Sequence, residues 1–197
     1  EFLDDYTIHH QLLTASYNVG GPSAGYALAL NTLSALLLIP ICNDFGITGA
    51  PWTRGVKKGE IGGSVIIGGH KRKAEKVLRH LRRMYMPLAN YNDLEREFLE
   101  NYWLQDKDIL GVTNFGDLVP EVLWLHEAYG AKVAELSGLR IRYKLAKCRG
   151  EAPSPAVKAR ILELKTALRA EIEEEMIRRL KALRAYLRSP VRDRHIS

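Results

Sequence analysis

Cysteine is scarce in this 197-residue chain: Cys42 and Cys148 are the only two, and they form no C-x-x-C pattern. A disulfide scaffold and a cysteine-based zinc site are thereby excluded, and a reducing cytoplasm suits such usage. The six histidines, at 9, 10, 70, 80, 126 and 195, make no H-E-x-x-H or other ligand spacing, so no metal centre is expected. A bilayer-spanning run is also missing. The longest apolar stretch, 27–41, is short and interrupted by Asn31, Thr32 and Ser34, and the start lacks a secretory pattern. No phosphate loop is present either: 63–68 approaches one, but Gly69 stands where the lysine is needed. The first residues, Glu1-Phe2, read as the start of a piece of something larger.

What is there describes a soluble α/β chain of one domain, or one domain plus an appendage. Hydrophobic residues make up 46% and charged residues 26%, with a net charge of +6. The charge is uneven. Residues 1–130 hold 12 Lys+Arg against 15 Asp+Glu, or −3, and residues 131–197 hold 17 against 8, or +9. We therefore divide the chain into a domain over 1–130 and a basic helical hairpin over 131–197.

Strand signals at 3–13, 44–49, 65–67, 84–88 and 108–112 alternate with helices. The helices are expected from Pro22 to a stop at Pro40, over 70–83, from an Asn92 or Asp93 cap through Tyr102, and from an Asp117 cap into the segment beginning near Pro120. Such alternation predicts an α/β pattern with crossover connections. The Pro22 helix is apolar nearly all round and reads as buried. The hairpin comprises a basic helix over 131–148 and a long helix from a Ser154 cap and Pro155 to about Leu187, ended by Pro190. Its single apolar stripe, Leu164, Leu168, Ile172, Met176, Leu180, Leu183 and Leu187, suits an antiparallel partner or another subunit. The alternative for the +9 segment is DNA or RNA contact. Its two aromatics, Tyr143 and Tyr186, are too few for single-strand stacking.

The chemistry converges on Gly20-Gly21-Pro22-Ser23-Ala24-Gly25. Ser23 falls in the first turn of a helix, where unpaired N–H groups and the positive end of the dipole would stabilise an oxyanion. Taken alone, the same serine serves equally as a helix cap. A base would decide between the two. In the helix after 70, Lys73 lies four residues before Val77 and eight before Leu81, on the apolar face. Partial withdrawal from water favours its neutral amine, which can take a serine proton directly. Thr48 is a candidate hydroxyl partner for that amine. Lys71, Arg72, Lys76, Arg79, Arg82 and Arg83 read as a solvated helix face, and His70 as a helix-start residue.

With these residues quoted, a resemblance can be stated. Gly21–Gly25 is similar to the G-P-S-A-G box of the proteolytic domain of Lon proteases, Ser–Lys peptidases attached to AAA+ unfoldases. Asp44, Thr48 and Gly49 resemble its D-x-x-x-T-G segment, Arg54-Gly55 its R-G turn, and Ile67-Gly68-Gly69-His70-Lys71-Arg72-Lys73 its I-G-G-x-K-x-K box. Ile8-His9, Pro87 with Asn92-Asp93-Leu94, and Asp117 through Leu123 extend the likeness over roughly 5–127. The resemblance implies Ser23 as nucleophile, Lys73 as base and Thr48 as its orienting hydroxyl. Gly21, Pro22, Ala24, Gly25, Asp44, Gly49, Gly68 and Gly69 would shape the site. It further implies a cytoplasmic, ring-forming homo-oligomer with an AAA+ module that binds ATP and magnesium, acting on unfolded protein, with no cofactor in this chain. The sequence departs from the resemblance in several ways: Ala50 replaces the glutamate of T-G-E, the 55–66 loop is long, the N-terminal part of the usual protease domain and the ATPase module are expected to be missing from this chain, and the hairpin is not an ordinary Lon feature. A divergent branch, the Lon-like protein of BREX phage-defence systems, is also similar. It implies a scaffold of weak or absent peptidase activity within a protein that acts on DNA.

Overall fold

A computed structural model describes residues 22–51 and 64–188. The expected strand at 3–13, Gly21, the Arg54-Gly55 turn and the Pro190 stop lie outside the described residues. A 3-10 turn, Pro22–Ala24, leads into α1 (Gly25–Leu37). There follow β1 (Phe45–Ile47), α2 (His70–Leu78), β2 (Arg83–Pro87), α3 (Leu88–Asn92), α4 (Arg96–Leu104), β3 (Asp108–Val112), α5 (Phe115–Val122), α6 (Glu127–Cys148) and α7 (Pro155–Leu187). The expected α/β class is what the chain adopts. Its strands form one parallel sheet in the order β1-β2-β3, with Ile47 opposite Tyr85 and Tyr85 opposite Leu110.

The alternation of strand side chains divides the core into two layers. Phe45, Ile47, Tyr85, Leu110 and Val112 face α1, α5, α6 and α7. Met84, Met86 and Ile109 face α2 and α4 through Ala74, Leu78, Leu99 and Trp103. Helix α6 contributes to both layers, Leu136 and Leu139 to one and Ile141 to the other. It also reaches β3, where Lys144 Nζ donates to the Ile109 carbonyl at 2.8 Å.

A chain of alternating charges fixes α6 in place. Arg140 makes two 2.7 Å hydrogen bonds to Glu121 and one of 3.1 Å to Asp108, while Lys144 donates to Asp108 at 2.9 Å. Tyr85 donates to Glu121 at 3.0 Å, and Arg83 bonds to Tyr85, to the Glu121 carbonyl and to Asp44. Burial raises the pKa of Glu121, but the charge and hydrogen bonds of Arg140, with Tyr85 and Arg83, outweigh it and leave the carboxyl below its ordinary value. Burial pulls Lys144 below the usual lysine value, with Asp108 opposing that pull.

Several local expectations are corrected. Helix α2 ends at Leu78 rather than at 83, because His80 and Leu81 turn back onto Val77 and Arg83 opens β2. Arg83 is accordingly a buried ion-pair partner of Asp44 and not part of a solvated face. The 65–67 segment is extended but joins no sheet; Val65 N bonds Ala50 O, and both backbone polar groups of Ile67 bond the side chain of Asn90. Asp93 closes α3 instead of capping a helix, and α4 starts after Glu95. Asn114, not Asp117, caps α5, which carries Pro120 inside. Helix α1 buries one stripe, Tyr26, Leu30 and Leu37, and leaves Ala27, Asn31 and Ala35 exposed, small or polar residues that water tolerates. It stops at Leu38, in the left-handed region at φ 55°, before Pro40 is reached. Arg179 of α7 covers that end by donating to the carbonyls of Leu37 and Leu38. Helix α7 starts with Pro155, but Ser154 makes no side-chain cap.

Candidate active site

The C-terminal end of β1 is where the sequence motifs meet. Thr48 and Gly49 continue β1, with Thr48 N bonded to Tyr85 O at 3.0 Å. Ser23 O accepts from Gly49 N at 3.0 Å and from Thr48 Oγ1 at 3.3 Å, and Tyr26 N donates back to Gly49 O at 2.8 Å. The serine turn and the Thr-Gly segment are thus sewn together through the Ser23 carbonyl and the Tyr26 amide. Thr48 is buried, and its hydroxyl is directed to the Ser23 carbonyl.

The motif glycines follow from this closeness. A Cβ at Gly25 would lie 2.5 Å from Ala50 Cβ, so only glycine lets the helix start approach β1. Gly49 holds φ at +125°, and a Cβ there would meet the Tyr26 ring at 2.9 Å. Gly69, at φ +65°, is the residue from which α2 springs, and Lys73 N bonds its carbonyl at 3.1 Å. Gly68 is exposed, and no protein atom lies within 4 Å of a Cβ placed there.

Lys73 stands near the same end of the sheet. Val77 packs over Gly46, two residues before Thr48. Helix α2 runs back along β1, so its first turn, with Lys73, lies toward the Thr48 end of the strand. Ser23 and Lys73 are both half-buried. Among the described residues, neither Ser23 Oγ nor Lys73 Nζ makes a hydrogen bond or ion pair, and the N-cap of α1 has no side-chain capping bond. The serine hydroxyl is therefore not engaged as a helix cap. Asp44 is apart from this group, held by Arg83 at the opposite end of β1.

Two residues that the sequence reading passed over organise the surroundings. Ser64 accepts from the Tyr26 hydroxyl and donates to Val112 O at 2.7 Å, tying α1 to the end of β3. Asn90, buried at 3% exposure, holds Ile67 just before the Gly68-Gly69 turn. Its position in Pro87-Leu88-Ala89-Asn90 was the available signal. A cavity of about 390 Å³ lined by Leu110, Leu136, Leu168 and Arg140 lies between β3, α5, α6 and α7, and no candidate site residue lines it. No group of described residues could hold a metal, and no helix is long and apolar enough to cross a membrane.

No protein-family profile matches the chain. It is 32% identical over 133 residues, 66% of its length, to the archaeal Lon protease of Methanocaldococcus jannaschii. It is 33% identical over 93 residues, 47% of its length, to the Lon protease of Mycoplasma mycoides, and 30% identical over 125 residues, 62% of its length, to that of Nitratidesulfovibrio vulgaris. The matched regions span only 18%, 11% and 14% of those relatives. Similarity to three Lon proteases over part of their length supports a Lon-like domain.

Proposed function

We propose that the chain is the peptidase part of an AAA+-coupled protease, with Ser23 as nucleophile and Lys73 as its base. The reading is supported by the double backbone tie between the Ser23 turn and Thr48-Gly49, with Lys73 in the first turn of a helix that packs along β1. Lys73 Nζ takes the proton from Ser23 Oγ as that oxygen attacks the scissile carbonyl, and returns it to the leaving amine. Water then hydrolyses the acyl-enzyme by the same proton route. Tyr26 N is committed to Gly49 O, which leaves the amides of the 3-10 turn, that of Ser23 first, to face the developing oxyanion. Thr48, by gripping the Ser23 carbonyl, steadies the nucleophile's backbone and keeps oxygen lone pairs to accept from Lys73. None of these steps needs a cofactor. ATP and magnesium belong to the AAA+ module, which would feed unfolded protein to a cytoplasmic homo-oligomeric ring.

Ser23→Ala and Lys73→Ala are each expected to abolish cleavage of unfolded casein by the parent assembly, with a loss of about a thousandfold or more. Wild-type cleavage by either variant sinks the dyad. A second reading keeps the fold without the reaction, as a scaffold of a BREX-type phage-defence protein that acts on DNA. It is favoured by Ser23 and Lys73 not being hydrogen-bonded to each other and by Ala50 at the place of the family glutamate. Intact casein with the wild-type assembly would select it. Cations of the hairpin are less free for nucleic acid than the +9 count implies, since Arg140 and Lys144 are buried on Asp108 and Glu121, and Lys132, Arg160 and Arg169 are ion-paired.

A further inference from the structure

The amide of Asn90 does something no other described side chain does: it pairs with both backbone groups of one residue, as a neighbouring strand would. Asn90 Oδ1 accepts from Ile67 N at 2.9 Å, and Nδ2 donates to Ile67 O at 2.8 Å. The second Nδ2 hydrogen points to His70 Nδ1 at 3.1 Å, and His70 Nε2 lies 3.2 Å from Asp93 Oδ2. Only one assignment satisfies every atom. Ile67 fixes which way the Asn90 amide faces, and the amide in turn sets the ring: His70 accepts at Nδ1 and donates its Nε2–H to Asp93.

The clamped residue, Ile67, is two positions before Gly69, and Gly69 begins α2 in a left-handed conformation that carries its carbonyl to Lys73 N. Gly68 is exposed, and the first turn of α2 is reached from Ile67, held by Asn90, and from His70, held by Asn90 and Asp93. Ala74, Val77 and Leu78 seat the body of the helix, and its first turn is held by Asn90, through Ile67 and His70, and by the Lys71–Glu95 ion pair.

We propose that Asn90, which holds both Ile67 and His70, is a positioning residue that sets the height of Lys73 opposite Ser23. The proposal rests on the Ser23–Lys73 reading above. Asn90 touches neither substrate nor reacting atoms; it acts through the Ile67–Gly69 turn. Misplacement of a base by about 1 Å costs about a hundredfold in rate without changing what binds.

The test compares wild type with Asn90→Ala and with Asn90→Asp, which keeps the shape and the acceptor for Ile67 N–H but loses both donated bonds. Each chain is reacted with a fluorophosphonate probe over a concentration series. In both variants the limiting rate constant falls about a hundredfold, while the half-saturating concentration stays within about twofold of wild type. Amide hydrogen exchange over 67–73 accelerates and that of β3 does not. Wild-type rate constants in a folded variant overturn the proposal, as does a loss of exchange protection spread evenly over β2 and β3, the mark of a merely structural role. Lys73→Ala in the same series separates the two claims. If it reacts at the wild-type rate, the Ser23–Lys73 reading fails; if it is silent while both Asn90 variants react normally, only the positioning role fails.

Discussion

Glu121→Gln is expected to cost about 3–5 kcal/mol of stability, because it leaves Arg140 buried with half of its counter-charge removed. In a chain of this size that lowers the thermal midpoint by about 10 °C. The wild-type carboxylate is buried among Arg140, Tyr85 and Arg83, which together hold it below its ordinary value. A depressed folded value means that the contribution is fully present above the unfolded carboxylate range and is lost as pH falls through the folded value. Wild type should therefore shed stability below about pH 4, whereas Glu121→Gln shows a flatter curve there. Urea unfolding of both proteins as a function of pH checks the magnitude and the sign.

That network was invisible in the sequence for a physical reason. Glu121 and Arg140 belong to different helices and Asp108 to a strand, so no local periodicity links them. A count of charges assigns Arg140 and Lys144 to a basic surface, and only tertiary packing shows that they are interior counter-ions anchoring α6. Arg83 is the same case at the start of β2. By contrast, features set by neighbouring residues could be read directly: the parallel α/β class, β3 at 108–112, and the reach of α7 from Pro155 to Leu187. Boundaries slipped where a distant group replaced a local one. Asn90 took the hydrogen bonds that a strand at 65–67 would have used, and Asn114 supplied the cap expected of Asp117.

Gly49→Ala should be severely damaging although it removes no reacting group. The residue sits at φ +125°, and its new Cβ would fall 2.9 Å from the Tyr26 ring and 3.0 Å from Pro87 Cγ. Strain of about 1–3 kcal/mol is expected from the backbone alone. Relief requires Gly49 to move, and with it the bonds to Ser23 O and Tyr26 N that place the serine turn. Casein cleavage should fall by about a hundredfold or more, beyond what the lowered thermal midpoint explains. Gly69→Ala, whose Cβ meets open space, isolates the backbone effect from the clash.

The G-P-S-A-G box was recognisable because its glycines and proline are dictated by backbone geometry, and the structure supplies the reason: Gly25 lies against Ala50 and Gly49 against Tyr26. What the sequence could not convey was how the lysine is held, since the clamp joins Ile67 to an asparagine 23 residues away.

The central claim is that Lys73 activates Ser23. Mass spectrometry of the chain after fluorophosphonate treatment tests it most directly. The account predicts a covalent adduct on Ser23 in the wild-type chain and none after Lys73→Ala. An unmodified Ser23 in wild type, or equal modification with and without Lys73, would contradict it.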